Sequence, residues 1–345
     1  MASEFRIALT ADFFLDGNPS FPDFDLSILD RAPGLEYFPM KGRRIEIGTD
    51  QLEGANGVII QGLKLTRQSL ASPENLVAAC RFGVGYDKVD VEACTDADVA
   101  LMITVGAVDR PVAEATIGWM IALSHHVKAK DRLMQEGRWD DRKDFMGSEL
   151  RDRTMGIIGF GRIAYELLRL LSGFGMARTL VYDPFVDEKT AKKAGVEKVE
   201  LDELLKESDF ISLHCPLNDS TRNLISACEL ALMKPTAILI NTARGTIVNE
   251  DDLYDALSEN RIAGAGLDCF EQEPSYEASR FSEFDNVFLA PHSIAWTHEL
   301  FGDIGRFACQ TMIDMANYKM PNGVINTEVF EKPSFQEKWE RLVLS

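Results

Sequence analysis

Residues 155–164 read M-G-I-I-G-F-G-R-I-A, and this decamer constrains the fold more than any other stretch of the chain. An apolar run precedes G-x-G-x-x-A, and a helical run over 165–171 follows it. Gly159 permits a tight turn, and Gly161 carries no side chain to block a pyrophosphate approaching the backbone. Ala164 is small enough to let the helix pack close to the strand. Arg162 and Ile163 open the helix, where unbonded N–H groups and the positive end of the dipole attract phosphate oxygens. A second apolar run ends in Tyr182-Asp183, 19 residues beyond Ala164. An acid at that spacing suits the hydroxyls of an adenosine ribose and repels a 2′-phosphate. The expected cofactor is therefore NAD, with Arg162 and Arg178 close enough in sequence to keep NADP use open.

At 345 residues the chain exceeds what one core usually serves, so two domains are expected. Short apolar runs alternate with helical patterns almost throughout, the rhythm of parallel sheets covered by helices on both faces. Strands are expected at 6–10, 57–60 and 99–104, then at 155–158, 179–182, 210–214, 237–242, 264–270 and 286–290. Val112, Ala113, Ile117, Met120, Ile121 and Leu123 fall at helical spacing behind Pro111. Ser226 with Glu229 reads as a capping box, and Asn249 as an N-cap. A last helix is expected over 304–318, ahead of a proline-punctuated tail. The fold class is α/β, with two Rossmann-like or flavodoxin-like domains. A central doubly wound parallel sheet, residues 108–300, is inserted between residues 1–107 and a returning segment, 301–345.

Composition narrows the partners. Lys plus Arg number 36 against 55 Asp plus Glu, a formal net charge of -19. Such a surface repels nucleic-acid phosphates and anionic lipid. The six cysteines form no C-x-x-C pair, so neither a zinc ribbon nor a redox motif is supported and no metal is expected. Cys215 and Cys269 sit in apolar surroundings and read as buried thiols. No run reaches the roughly 18 apolar residues of a membrane helix, and the first ten residues lack a signal-peptide pattern. A cytoplasmic protein is expected.

Hydride transfer to a carbonyl needs an anchor for the substrate and a proton donor for the developing alkoxide. Three strand ends offer candidates: A-I-L-I-N-T leads into Ala243-Arg244-Gly245, G-L-D-C-F-E-Q-E-P holds Asp268, Glu271 and Glu273, and N-V-F-L-A leads into Pro291-His292. Ligands of open α/β sheets bind at such carboxyl edges. His125 and His126, within the expected helix region, read as packing or solvated residues. The Tyr-x-x-x-Lys helix of short-chain dehydrogenases is missing, since its one prominent match, Tyr37 to Lys41, lies far upstream and contains Pro39.

Taken together, these stretches resemble the D-isomer-specific 2-hydroxyacid dehydrogenases. The matching segments are R-F-G-V-G-Y-D-K-V-D (81–90), P-V-A-E (111–114), the glycine-rich turn, L-H-C-P-L (213–217), N-T-A-R-G (241–245), L-D-C-F-E-Q-E-P (267–274) and A-P-H (290–292). The resemblance implies a discontinuous substrate domain around an NAD domain, and hydride exchange between NAD(H) and a 2-hydroxy acid/2-oxo acid pair. It implies that Arg244 binds the substrate carboxylate and polarises the carbonyl, that His292 is the acid/base, and that Glu273 hydrogen-bonds His292 and favours its charged form. Glu271 is the rival for that last role. Val84 and Gly85 would offer backbone N–H groups to the same carboxylate. Thr242 and Asp268 would lie beside the nicotinamide, His214, Cys215 and Pro216 beside the adenosine, and Thr221, Ala243 and His292 would also take part in cofactor binding. A homodimer formed through the NAD domain is also implied. Some members of the family are non-enzymatic NAD(H)-sensing corepressors that keep the same Arg/Glu/His set, so NADH consumption with 2-oxo acids is the observation that separates the two. This chain departs from the family pattern at Lys88, Val108 and Pro111, and in the Ser-Ile-Ala-Trp that follows His292. These positions bear on substrate choice, with Trp296 expected either to line or close the pocket or to pack between domains.

Overall fold

The structure is a computed structural model that describes residues 4–15, 18–42 and 44–344. Its chain contacts divide into two units, Met1–Val108 with Trp296–Ser345 and Asp109–Ala295.

The second unit is built on the glycine-rich turn. Its seven strands are all parallel and lie in the order Glu197–Lys198, Arg178–Tyr182, Thr154–Ile158, Phe210–Leu213, Ile238–Asn241, Gly264–Leu267, Val287–Leu289. The chain thus winds one way from the first strand and then returns to wind the other, which puts the switch of direction between Thr154–Ile158 and Phe210–Leu213. A crevice at the carboxyl ends of such neighbours is where nucleotides bind. Helices cover both faces, so the strands are apolar on both sides. Met155 and Ile157 pack with Trp119, Met120 and Leu167 on one face, while Ile211, Leu213 and Leu239 pack with Leu253 and Leu257 on the other. The caps expected at Ser226/Glu229 and Asn249 are both present: Glu229 Oε2 accepts from the Ser226 N–H at 3.0 Å, and Asn249 Oδ1 accepts from the Asp252 N–H at 3.0 Å.

The first unit carries a five-stranded parallel sheet in the order Leu35–Pro39, Phe5–Leu9, Gly57–Ile60, Ala78–Arg81, Ala100–Ile103. The returning segment is stitched to this sheet by the buried side chain of Asn326. Asn326 accepts from the Leu101 N–H at 2.8 Å and donates to the Val99 carbonyl at 2.9 Å. Trp339 donates to the Met315 carbonyl at 2.7 Å.

Several expectations need correction. The strands Leu35–Pro39 and Ala78–Arg81 were not expected, because L-E-Y-F-P carries an acid and a proline and A-A-C-R lacks β-branched residues. The last long helix runs over His298–Ala316, so a boundary at 300/301 would cut it, and the unit boundary falls at 295/296 instead. The proline-punctuated tail holds a further helix that was not expected, Pro333–Val343, which Pro333 opens where its missing N–H costs nothing. The strand from 264 stops at Leu267, since Asp268 turns the chain. The helix expected through His125 and His126 ends at Ser124, and His126 takes a left-handed conformation (φ 51°) between two helices. Cys215 is only half-buried, whereas Cys269 is buried.

Candidate active site

The cofactor end is shaped by what could not fit there. Gly159 has φ +88°, and a Cβ on it would come within 2.5 Å of the Cys215 amide nitrogen. Only glycine passes this point, so the turn lies directly against the His214-Cys215-Pro216 segment after the neighbouring strand. Around Gly161 no heavy atom lies within 4 Å of where a Cβ would be. That leaves the start of the helix Arg162–Leu171, including Ile163, open to a phosphate. Arg162 pairs with Asp109 at 2.8 Å. Asp183 uses one carboxylate oxygen to accept from the Phe160 N–H at 2.7 Å and the other to accept from the Phe185 N–H at 2.8 Å. A carboxylate has about four acceptor positions, so ribose hydroxyls can still be taken. The hydroxyl of Thr242 is buried with no protein partner, the condition of a group meant to meet a ligand. Thr221 folds back onto Pro216, donating to its carbonyl at 2.7 Å. These residues fit a dinucleotide.

Burial pulls the His214 imidazole down to about 4, and its Nε2 lies 2.9 Å from the Ser212 hydroxyl. Burial likewise pushes the Cys215 thiol up to about 11.

At the carboxyl ends of the next three strands stand the candidates for chemistry. Past Ile238–Asn241, Asn241 clasps the turn: its Nδ2 donates to the Arg244 carbonyl at 2.8 Å and its Oδ1 accepts from the Ala243 N–H at 3.1 Å. Arg244, half-buried, donates from one guanidinium nitrogen to the Ala243 carbonyl at 2.7 Å. A Cβ on Gly245 would sit 1.9 Å from the Phe270 carbonyl carbon. The Arg244 turn is therefore pressed against the loop that carries the acids.

On that loop Glu273 and Glu271 part company. Glu273 accepts from the Phe270 N–H at 2.9 Å with one oxygen and lies 2.8 Å from His292 Nδ1 with the other. Glu271 faces away, exchanging hydrogen bonds with Glu250. Burial pushes the Glu273 carboxyl up, but the hydrogen bond and charge of His292, the Phe270 N–H and the Arg244 charge outweigh it and hold it below the usual carboxylate range. His292 itself takes a left-handed backbone (φ 52°). Asp268 fixes that turn, accepting from the Ser293 and Ile294 N–H groups at 2.7 and 3.0 Å while its carbonyl accepts from the His292 N–H at 2.7 Å. Burial raises the Asp268 carboxyl despite these bonds. Its anchoring of 292–294 and the clasp by Asn241 were not anticipated from the sequence, which gives residue types but not the turns they close. Nδ1 is committed to Glu273, so Nε2 is the ring atom left to face a substrate. The imidazole is 45% exposed.

In the first unit, Val84 and Gly85 lie half-buried on the loop after Ala78–Arg81. That loop is tied down at Gly83, whose N–H donates to Thr104 Oγ1 at 3.0 Å. Trp296 is 51% exposed and rests edge-on against Phe21 and Phe301, with ring centroids 5.6 and 5.2 Å away.

A sheet edge with a dinucleotide cradle becomes a dehydrogenase when a proton donor stands beside it, and here the imidazole backed by Glu273 rises from that same edge. Comparison with known proteins agrees. A sequence model of the D-isomer specific 2-hydroxyacid dehydrogenase NAD binding domain matches residues 117–293. A glyoxylate reductase from Korarchaeum cryptofilum is 38% identical over 271 residues, covering 77% of this chain and 81% of the relative. A hydroxypyruvate reductase from Thermotoga maritima is 38% identical over 250 residues, covering 72% and 80%. The crystal structure of D-lactate dehydrogenase from Aquifex aeolicus, complexed with NAD and lactic acid, superposes with a TM-score of 0.77 at 27% identity, covering 89% of this chain and 94% of that one. The chain belongs to the D-isomer-specific 2-hydroxyacid dehydrogenases. It is an NAD-dependent oxidoreductase acting on 2-hydroxy acid/2-oxo acid pairs.

Asp183 gives a test of cofactor selection. Asp183→Ala removes the charge that opposes a 2′-phosphate, so the preference for NADH over NADPH, measured as a kcat/KM ratio, should narrow about tenfold or more, the scale of one lost charge-assisted hydrogen bond. An unchanged ratio would place ribose recognition elsewhere.

Proposed function

We propose that this chain reduces a small 2-oxo acid to its D-2-hydroxy acid, with Arg244 as carboxylate anchor and His292 as proton donor. The observation that carries the reading is the 2.8 Å contact between His292 Nδ1 and Glu273 at the carboxyl edge of the sheet that also carries the glycine-rich turn. Bound NADH supplies the hydride. Arg244 presents a planar donor fork able to hold the carboxylate and the carbonyl oxygen together. Val84 and Gly85 add backbone N–H groups to the carboxylate. Nε2 of protonated His292 gives its proton to the carbonyl oxygen as the alkoxide forms, and Nδ1–H stays hydrogen-bonded to Glu273 throughout. Thr242, Ala243 and Asp268 border the nicotinamide, and Gly159, Gly161, Arg162, Ile163, Asp183, His214, Cys215, Pro216 and Thr221 border the rest of the dinucleotide. The substrate lobe is assigned to the first unit, with Trp296 lining the pocket, and the cofactor lobe to the second.

The reading is tested with purified protein, NADH and a panel of glyoxylate, hydroxypyruvate, pyruvate and larger 2-oxo acids, following NADH absorbance. Glyoxylate and hydroxypyruvate, which name the relatives above, are expected among the best substrates, and no turnover with any member would overturn the reading. Glu273→Gln probes the pairing. An amide offers His292 Nδ1 a weaker, uncharged acceptor, so kcat should fall about tenfold or more while NADH affinity stays near its wild-type value. Undiminished turnover would remove Glu273 from the positioning of His292.

A homodimer through the second unit is part of the proposal. Val127, Met134, Trp139 and Met146 stand 47%, 62%, 60% and 80% exposed within residues 127–146 of that unit, and a second copy would cover them. Sedimentation at twice the 38.5 kDa chain mass is expected. No helix among the described residues is long and apolar enough to cross a membrane.

A further inference from the structure

The pair that moves the proton has a third neighbour whose chemistry that step does not use. Cys269 Sγ, a Glu273 carboxylate oxygen and a His292 ring nitrogen all lie within 4.8 Å of one another. They come from two adjacent loops of one unit, after the parallel neighbours Gly264–Leu267 and Val287–Leu289. Cys269 is buried, and its thiol lies 3.3 Å from the Ala243 carbonyl. We propose that these three side chains form an inhibitory site for a borderline-soft divalent cation, Zn2+ above all.

Thiolate, imidazole and carboxylate are the donor set that zinc takes. With bonds of about 2.0–2.3 Å, tetrahedral ligand atoms stand about 3.3–3.8 Å apart. Rotamer adjustments of about 1 Å would close the triangle, and water would take the fourth position. The Glu273 and Asp268 carboxylates add negative charge, against which Arg244 is the opposing cation. The thiolate also sets selectivity, because Mg2+ and Ca2+ prefer all-oxygen shells. Binding displaces the thiol proton, and the Nδ1 proton where present, to solvent. The cation then takes from His292 the nitrogen now hydrogen-bonded to Glu273, and takes Glu273 as well. A metal-bound imidazole holds no second ring proton, so it cannot serve as the acid. The cation therefore switches the reductase off by taking its proton donor.

The test uses the whole protein with NADH and its best 2-oxo acid. Wild-type turnover should fall at micromolar Zn2+ and return with chelator, while millimolar Mg2+ leaves it unchanged. Cys269→Val should keep wild-type turnover and need at least about tenfold more Zn2+, since one of three protein ligands is gone. Cys269→Ala repeats the measurement if valine packs badly, with NADH binding and thermal unfolding checking that each variant is folded. Co2+ gives a readout independent of activity: a thiolate-to-cobalt charge-transfer band in the wild type, absent in both variants. Equal zinc sensitivity in the folded variants, or no such band in the wild type, would overturn the proposal. Absence of turnover with every 2-oxo acid would instead strike the enzymatic reading, leaving the cobalt band to decide the metal site.

Discussion

His292→Asn is expected to lower kcat by about 100-fold or more while leaving NADH affinity near its wild-type value. The magnitude is the usual cost of losing a positioned general acid. Asparagine suits the test because position 292 has φ 52°, a region that asparagine enters more readily than most residues. The turn is also held by bonds independent of the side chain, from the Ser293 and Ile294 N–H groups to Asp268. An amide can still donate to Glu273, but it has no proton to give at neutral pH. The loss should therefore fall on kcat, with a much smaller change in KM. Turnover within a few-fold of wild type would mean that the alkoxide takes its proton from another group.

How far this site could be read from sequence depends on how local its signals are. The glycine-rich turn is local: Gly159 is compelled by a backbone 2.5 Å from its absent Cβ, and the strand before and helix after it carry their own periodicity. The strands of the second unit were legible for the same reason, since burial on both faces writes continuous apolar runs such as A-I-L-I at 237–240. Leu35–Pro39 was not legible, for it lies at a sheet edge and only part of it is covered. The choice between Glu273 and Glu271 could be favoured by motif alone, yet what separates them is a hydrogen bond from the Phe270 N–H and a partner 19 residues away. The anchoring roles of Asp268 and Asn241 are likewise long-range or turn-specific. Cys269 read as an inert buried thiol because nothing in its own neighbourhood of sequence announces a histidine at 292. Periodicity reveals layers, then, while pairings across strand ends need the folded edge.

Arg244→Lys is expected to lower kcat/KM for the 2-oxo acid by about 100-fold, although the charge is retained. Removing one partner of a hydrogen-bonded charge pair costs roughly 2–5 kcal/mol, and a surviving point charge keeps the loss near the lower end. What lysine lacks is the planar fork that can meet carboxylate and carbonyl together. The position is built to aim such a fork: the Arg244 backbone is clasped by Asn241, and Gly245 abuts Phe270 so closely that the turn cannot shift without disturbing the loop of Glu273. An ammonium on a flexible stem has no equivalent constraint. If the fork serves both groups, the variant should lose in KM through the carboxylate and in kcat through the carbonyl. Discrimination against a ketone of the same length lacking the carboxylate should shrink with it. A variant with wild-type KM and undiminished discrimination would remove Arg244 from substrate binding and leave the Val84–Gly85 loop as the remaining anchor.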